Sequence, residues 1–386
     1  MRSAESAHPW PRLVFWETTA ACNLACSHCR RTTAATTSSP EDLTTAEAER
    51  LIEQIAAWGG SVLVLSGGEP LLRDDLFELA EYAVKRGLIV ALASNGTLLG
   101  GDVARALKGC GVSRVSISLD GVERAGHDAF RRQEGSFDAA LLGIEALREA
   151  GVPIQINVTV AKHNVSRLDE FVALAKRLGA VALHFFLLVP VGCGMEIAEE
   201  QTISAETYEE TLAWIYDTER REPSLQLKAT CAPHYFRVVR QRQAALGPGA
   251  GSALPPSAER HVVVGGHAET GGHKTSADAL RATTRGCLAG TGICFISHTG
   301  KVYGCGYLPV EAGDLRQQSF ADVWQNSELF AHMRDLRTLK GKCGRCGFKT
   351  VCGGCRARAY GVTGDYLAEE PLCSFEPPSA RGVPSV

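Results

Sequence analysis

Three cysteines close together near the start of the chain could hold a metal cluster. They are Cys22, Cys26 and Cys29, in the run Cys22-Asn-Leu-Ala-Cys26-Ser-His-Cys29. Three thiolates can bind three irons of a cubane iron–sulfur cluster, and the fourth iron would then have no protein ligand. An open metal position is where a substrate or cosubstrate can coordinate. Spacing also leaves open a zinc knuckle, with His28 inside the loop, or buried structural cysteines.

A second set of cysteines crowds the last hundred residues. Its members are Cys287, Cys294, Cys305, Cys343, Cys346, Cys352, Cys355 and Cys373. Paired CxxC steps suit chelation because a tight turn directs two thiolates to one metal, and zinc ribbons use the same spacing. These thiolates could serve two four-ligand sites. Cys110, Cys193 and Cys231 are predicted to be buried small hydrophobes and not metal ligands. For Cys193 and Cys231 a ligand role stays open, because both lie in distinctive local sequence.

Composition limits the class of protein. The chain has 386 residues, of which 45% are hydrophobic and 22% charged, with a formal net charge of −3. That balance is typical of a globular protein, and it gives no basic field that would attract nucleic acid or an anionic membrane. No run reaches the ~18 apolar residues of a membrane span, and no signal peptide is recognised. We therefore predict a cytoplasmic protein whose 14 cysteines are reduced thiols that mostly hold metal.

The elements that must position these cysteines alternate in type over the first ~200 residues. Apolar runs predict strands at 13–16, 62–65, 89–93, 115–118, 154–160 and 182–189. Amphipathic stretches predict helices near 45–58, 73–86, 102–109, 138–150 and 168–178. Six βα repeats predict an α/β fold, either a wound parallel sheet or a partial barrel. In such folds functional residues gather beyond the carboxyl ends of the strands.

The first cysteine run and a motif that follows it resemble the radical S-adenosylmethionine (SAM) enzymes. The run Ser66-Gly-Gly-Glu-Pro70 comes after the second predicted strand and matches the GGEP motif of that family. The resemblance implies that the three cysteines bind a [4Fe–4S] cluster whose fourth iron is bound by SAM. It also implies that Gly67, Gly68 and Glu69 contact the SAM amino group. Glycines permit close backbone approach, and a carboxylate can accept hydrogen bonds from an ammonium group.

Polar residues end the next two predicted strands. Asn95 follows the third strand and Ser118 ends the fourth. In radical SAM enzymes such positions touch the SAM ribose and carboxylate, so both residues are candidate contacts. Each could instead cap the following turn or helix. Arg131 is predicted to be a surface charge, with carboxylate binding as the alternative, and Asn157 on the fifth strand is a further candidate.

The C-terminal cysteines resemble the SPASM domain that follows many radical SAM cores, which implies one or two auxiliary [4Fe–4S] clusters. By motif position the first would be held by Cys287, Cys305 and Cys355, with Cys294 as the fourth ligand. The second would be held by Cys343, Cys346, Cys352 and Cys373. Two residues rather than the usual three separate Cys352 from Cys355, which leaves the partition of ligands open.

The resemblance also implies a division of the chain. We predict a partial (β/α)6 radical SAM barrel in residues 1–200 and a SPASM iron–sulfur domain in residues 284–378. Residues 201–283 are predicted to be bridging helices and a flexible Gly/Ala/Ser-rich insertion.

Longer runs at 184–194, 227–237, 285–292 and 355–371 are similar to the heme b synthases of the siroheme-dependent heme pathway, except that Cys193 stands where Arg is expected. This resemblance implies that a 5′-deoxyadenosyl radical removes hydrogen from the β-carbon of a propionate of Fe-coproporphyrin III. Carbon dioxide and one electron then leave, and two rounds give heme b. Auxiliary clusters would accept the electron, and a low-potential donor such as ferredoxin or flavodoxin would supply reducing power.

Other functions remain open beside that one. They are a didecarboxysiroheme deacetylase, a d-type heme maturase, a SPASM peptide or protein maturase, and a zinc-stabilised binding module without enzyme activity.

A compact run offers groups suited to a tetrapyrrole. Lys228 and Arg237 could pair with propionates, and His234 could ligate heme iron or be an ordinary satisfied polar residue.

Overall fold

The computed structural model describes residues 10–32, 36–245 and 286–378, which form a single large sheet covered by helices. Its ten strands are β1 (Leu13–Glu17), β2 (Val62–Ser66), β3 (Ile89–Ser94), β4 (Arg114–Ser118), β5 (Ile154–Val160), β6 (Ala182–Leu187), β7 (Gln226–Thr230), β8 (Ile293–Ile296), β9 (Lys301–Tyr303) and β10 (Glu311–Asp314). Their order across the sheet is β10-β9-β8-β1-β2-β3-β4-β5-β6-β7. The six strands predicted from the apolar runs are β1 to β6, and the prediction of an α/β fold with a parallel sheet is confirmed.

Helices connect the strands and cover the sheet. The longer ones are α1 (Thr45–Ala56), α2 (Leu76–Lys85), α3 (Gly101–Gly109), α4 (Arg124–Arg131), α5 (Ser136–Glu149), α6 (Leu168–Arg177), α7 (Ala205–Arg221), α8 (His234–Ala245) and α9 (Arg356–Thr363). Shorter helices span Ala198–Gln201, Phe320–Asn326, Glu328–Arg334 and Gly341–Arg345. The sequence analysis missed α4, whose eight residues carry few apolar side chains.

The core follows from the pattern of burial along these elements. Residues 62–65 of β2 are buried without alternation, as expected for a parallel strand covered on both faces. Helix α1 buries Ala48, Leu51, Ile52 and Ile55, which lie on one stripe of a 3.6-residue helix. Its start is fixed by a capping box in which Thr44 and Glu47 exchange hydrogen bonds.

Two strands outside the predicted repeats extend the sheet at its two sides. β7 pairs in parallel with β6, and β8 pairs in parallel with β1, with Leu13 opposite Ile293. β9 and β10 continue beyond β8 as antiparallel strands. The C-terminal segment is thereby joined to the first strand of the core. The domain boundaries at 200 and 284 stay predictions, and the insertion predicted at 247–283 lies outside the described residues. No helix in the described ranges is both long and apolar enough to cross a membrane.

Candidate active site

The two motifs nearest the start of the chain are held together by backbone hydrogen bonds. The amide of Gly68 donates to the carbonyl of Thr19 over 3.0 Å, and the amide of Glu69 donates to the carbonyl of Ala21 over 2.7 Å. Both motifs follow the carboxyl ends of β1 and β2, which are adjacent strands. The loop carrying Gly68 and Glu69 is therefore fixed against the residue that precedes Cys22.

The thiols of Cys22, Cys26 and Cys29 converge beside that loop. Burial, with smaller contributions from Glu69, Cys26 and Cys29, raises the pKa of Cys22 to about 11. Electrostatic influence of this kind requires short distances. The thiols of Cys22 and Cys26, whose pKa values burial raises, become thiolates when iron binds, so three cysteines at this spacing fit a cluster held by three thiolates.

We expect Gly68→Ala to damage the site far more than Gly67→Ala. A Cβ at Gly68 would lie 2.2 Å from the carbonyl oxygen of Ala21, a backbone atom that cannot give way without moving the cysteine loop. At Gly67 the closest atom is the carbonyl oxygen of Thr19 at 3.2 Å, which a small shift relieves. Iron content and release of 5′-deoxyadenosine should both fall steeply in Gly68→Ala and remain near wild type in Gly67→Ala. Equal losses in the two variants would contradict the steric argument.

Glu69 is fully buried and bound by three neighbours. Its carboxylate accepts hydrogen bonds from the amide of Asn95 over 2.8 Å, from the hydroxyl of Ser94 over 2.8 Å and from the amide of Leu71 over 3.3 Å. Burial outweighs these bonds and raises the pKa of Glu69 to about 7. An ammonium group beside this carboxyl would restore its charged form.

SAM binding is therefore expected to strengthen as pH rises through about 7. Below that pH the Glu69 carboxyl, whose pKa is raised to about 7, is largely protonated and binding an ammonium must release its proton. Above that pH the carboxylate is already formed. Titration of SAM affinity between about pH 6 and pH 8 checks this, with Glu69→Gln as the control that should lose the rise. A rise that persists in Glu69→Gln would assign it to another group.

Asn95 and Ser118 lie at the same edge of the sheet but in different environments. The side-chain oxygen of Asn95 accepts from the amide of Thr97 over 2.9 Å, so Asn95 caps its own turn, which was the alternative role for this residue. The side-chain nitrogen of Asn95 also donates to the side-chain oxygen of Asn23 over 2.8 Å, and Asn23 lies inside the cysteine loop. Ser118 is partly exposed at the end of β4, where it pairs with Asn157. Contact of either residue with SAM stays a prediction.

Arg131 is buried, so the prediction that it is a surface charge is wrong. Its guanidinium lies 2.5 Å from the carboxylate of Asp120 and donates to the sulfur of Cys26 over 3.6 Å. Arg131 is buried because it ends α4, which packs on the cysteine loop. Phe130, the residue before it, stacks on His28 with the ring centroids 4.2 Å apart, and its carbonyl accepts hydrogen bonds from Ser27. The last turn of α4 thus braces the cysteine loop.

The charges around Arg131 are fixed by that burial. The guanidinium of Arg131 holds the pKa of Asp120 below its usual range, against the desolvation that would raise it. Desolvation lowers the pKa of His28 to about 3, so His28 is neutral beside Asp120. One cation and one anion are therefore locked beside Cys26, and the sequence analysis had no signal for Asp120 or Phe130.

Four of the C-terminal cysteines line one pocket. They are Cys343, Cys346, Cys352 and Cys373, the set assigned by resemblance to the second auxiliary cluster. The four thiols together fit a cluster with four protein ligands. The described residues contain no group of three or more His, Cys, Asp and Glu side chains placed to hold a single metal ion. In a cubane each thiolate binds its own iron, so the thiolates need not meet at one atom.

His234 and Arg237 line the same pocket. The His234 imidazole is buried with neither ring nitrogen hydrogen-bonded in the described structure, and burial lowers its pKa to about 4. Arg237 is buried in an ion pair with Glu209 at 2.5 Å and lies over the ring of Phe375. Lys228 lies elsewhere, on β7 beside Cys231, where burial lowers its pKa to about 8. The structure thus separates Lys228 from the other two residues, and their substrate roles stay predictions.

The remaining C-terminal cysteines divide unevenly. Cys287, Cys305 and Cys355 are neighbours. Burial is the largest cause of the raised pKa of Cys305, and the thiols of Cys355 and Cys287 raise that pKa as well. Cys294 lies instead within β8, fully buried in the hydrophobic core opposite Val14. Burial alone raises the pKa of Cys294. The structure therefore brings together three of the four thiols assigned to the first auxiliary cluster.

Tyr307, which the sequence analysis did not consider, has cysteines of both regions among its neighbours. Burial raises the pKa of its phenol above the usual range, and the thiols of Cys231, Cys305 and Cys29 contribute in the same direction. Its neighbours thus include one cysteine of the N-terminal trio and one of the C-terminal set. The phenol remains a neutral hydrogen-bond donor between them near neutral pH.

Comparison with known families agrees with this geometry. The sequence model of the Radical SAM superfamily matches residues 16–175, and that of the SPASM iron–sulfur cluster-binding domain matches residues 287–347. Streptococcus suis SuiB bound to S-adenosylmethionine has a similar fold, with a TM-score of 0.69 at 15% identity over 95% of this chain and 78% of that chain. The fold and site define a radical SAM enzyme with a SPASM domain, which binds [4Fe–4S] clusters and SAM.

Two curated relatives identify the group of radical SAM enzymes to which the chain belongs. The AdoMet-dependent heme synthase of Methanosarcina barkeri (strain Fusaro / DSM 804) is 48% identical over 95% of this chain and 97% of its own. The Fe-coproporphyrin III synthase of the same organism is 30% identical over 94% of this chain and 87% of its own. The chain belongs to the radical SAM family of AdoMet-dependent heme synthases.

Proposed function

We propose that this enzyme converts two propionates of Fe-coproporphyrin III to vinyl groups with loss of carbon dioxide, giving heme b. The observation that carries the proposal is the 48% identity to a heme synthase across nearly the whole of both chains. The relative whose name says that it makes Fe-coproporphyrin III is more distant, at 30%. Support also comes from the two separate groups of cysteines, because the reaction both takes up and releases single electrons.

The chain's own residues suit the binding steps of this reaction. Cys22, Cys26 and Cys29 would hold the cluster that SAM completes. Gly68 would let its loop pack against the residue before Cys22, and Glu69 would accept from the SAM ammonium group. When bound, the first cluster would supply the electron that splits SAM, and an auxiliary cluster would supply an acceptor for the electron released by the substrate. Arg131 would keep a positive charge beside Cys26 throughout.

Each round balances in atoms and electrons. SAM gains one electron and gives methionine and a 5′-deoxyadenosyl radical, which takes one hydrogen atom from the propionate β-carbon and becomes 5′-deoxyadenosine. The propionate then breaks the bond to its carboxylate, releases carbon dioxide and one electron, and forms the carbon–carbon double bond of the vinyl group. The electron taken up and the electron released are equal in number, so SAM is the net oxidant.

The substrate would lie near Tyr307. Burial raises the pKa of that phenol, and thiols of both cysteine groups, Cys231, Cys305 and Cys29, contribute in the same direction, so a substrate there would lie near both the radical source and an acceptor. Lys228 is the candidate for a propionate contact, since its ammonium is near Cys231. Arg237 already pairs with Glu209, and we propose no propionate contact for it. A low-potential ferredoxin or flavodoxin would be the electron donor.

The test is product analysis on the reduced enzyme. Anaerobically reconstituted protein is incubated with dithionite, SAM and Fe-coproporphyrin III, and the tetrapyrroles are identified by mass spectrometry. We expect successive loss of two carbon dioxide units with matching 5′-deoxyadenosine. Alteration of didecarboxysiroheme alone would move the function to the deacetylase or the d-type heme maturase, and modification of a peptide with untouched tetrapyrroles would make it a peptide maturase.

A further inference from the structure

We infer that Cys231 supplies the fourth protein thiolate of the first auxiliary cluster, completing the set formed by Cys287, Cys305 and Cys355. This inference rests on the auxiliary-cluster part of the proposed function and not on the identity of the substrate. It replaces Cys294, which motif position assigned to the same cluster. Cys231 lies outside the SPASM segment, in the short connection between β7 and α8.

The loop around Cys231 is held in place from two sides. Cys231 has a φ of +57°, a left-handed conformation that is uncommon for a residue with a side chain. Its carbonyl accepts a hydrogen bond from the hydroxyl of Tyr208 over 3.1 Å. The same hydroxyl lies 3.2 Å from the guanidinium of Arg358, on α9 of the C-terminal region. A chain of fixed contacts therefore runs from Cys231 to the helix that begins beside Cys355.

Close backbone packing brings the loop against Cys287. Gly286 has no room for a side chain, because a Cβ there would lie 2.6 Å from the carbonyl oxygen of Pro233. Pro233 is two residues after Cys231, and Gly286 directly precedes Cys287. The amide of Cys287 in turn donates to the carbonyl of Cys352 over 3.1 Å. Three separate segments of the chain thus meet where the four thiols lie.

The four thiols influence one another directly. Burial raises the pKa of Cys231 well above its usual value, and the thiols of Cys355, Cys305 and Cys287 all raise it further. These directions agree with the contacts above, in which Pro233 packs on Gly286 beside Cys287 and Tyr208 links the carbonyl of Cys231 to Arg358, on the helix that follows Cys355. Cys294 shows no such neighbour, since burial alone accounts for its raised pKa. Its place within β8, inside the hydrophobic core, keeps it from the group.

A buried cation offsets the charge that four thiolates would bring. The guanidinium of Arg358 is buried and lowers the pKa of both Cys231 and Cys355, against the effect of desolvation. Arg358 donates to the carbonyls of Leu187 and Leu188 at the end of β6 and faces Glu370 at 3.4 Å. Positive charge near cluster thiolates stabilises them and tunes the potential. The donor set, its burial and its counter-charge all fit a four-thiolate cluster.

The experiment compares Cys231→Ala with Cys294→Ala in the full-length, anaerobically reconstituted protein. Three [4Fe–4S] clusters give about twelve irons per chain, so loss of one leaves about eight. We expect Cys231→Ala to lose about four irons with matching sulfide or, where three thiols retain a cluster, to change the EPR spectrum of one auxiliary cluster. The signal that shifts on adding SAM should be unchanged. Cys294→Ala should keep both the iron content and the EPR spectra of wild type.

Controls separate this inference from folding and from the proposed function. Cys110→Ala, a change of the same size at the end of α3, should match wild type, and circular dichroism confirms that each variant folds. Wild-type iron content and spectra in Cys231→Ala, or a lost cluster in Cys294→Ala, would overturn the inference while leaving auxiliary clusters intact. Wild-type protein with only about four irons would overturn both it and the auxiliary-cluster proposal.

Discussion

Replacing Cys22, Cys26 and Cys29 together with alanine is expected to abolish release of 5′-deoxyadenosine and to remove about four irons per chain. The three thiols are the only protein ligands that the proposed site gives the SAM-binding cluster, and without them SAM has no iron to coordinate. The effect should be complete rather than partial, because SAM is split only by an electron delivered at that iron. The measurements are iron and sulfide content and 5′-deoxyadenosine by chromatography after reduction with dithionite.

The same variant tests whether the two cysteine regions bind clusters independently. The C-terminal cysteines lie on other segments of the chain, so about eight irons should remain with their EPR signals intact. Cys110→Ala is the matched control and should retain wild-type activity, because its thiol lies at the end of α3, where it donates to the carbonyl of Leu107. Release of 5′-deoxyadenosine from the triple variant at the wild-type rate would refute a radical SAM site at these residues. It would also remove the basis of the proposed reaction.

The core of the fold could be predicted because each parallel strand is buried on both faces. Unbroken apolar runs such as 62–65 are then visible in the sequence, and the helices between them show their stripes. α4 could not be predicted in this way. Its buried face consists of His127, Phe130 and Arg131, and two of these residues are polar. Their burial depends on Asp120 and His28, which only the folded chain brings to them.

The cysteine ligands show a second limit of sequence reasoning. Spacing within one loop, as in Cys22, Cys26 and Cys29, already implies proximity. Spacing between different elements does not: Cys294 is close to Cys287 in the sequence, yet β8 places it in the core beside β1. Cys231 is 56 residues before Cys287 by their numbers, and its position becomes visible only in the folded chain, through the packing of Pro233 on Gly286 and the contacts of Tyr208 with Cys231 and Arg358.

Removing the charge of Arg131 is expected to weaken both the stability of the protein and the reduction of the SAM-binding cluster. Arg131→Gln leaves Asp120 buried without its cation, and breaking a buried ion pair in this way typically costs about 3–5 kcal/mol. The hydrogen bond to Cys26 is also altered. Adding an electron to the cluster is less favourable when the positive charge beside it is missing. The midpoint potential should therefore become more negative, and 5′-deoxyadenosine release should slow.

Matched variants distinguish the charge from the packing. Asp120→Asn combined with Arg131→Gln removes both charges, so its stability should recover much of the loss and its potential should move back toward wild type. Arg131→Lys keeps the charge and should shift the potential less than Arg131→Gln, although it forfeits the planar donor geometry. Anaerobic urea unfolding measures stability, and an EPR-monitored redox titration measures the potential. An Arg131→Gln protein with unchanged midpoint potential would mean that this cation braces α4 against the cysteine loop without tuning the cluster.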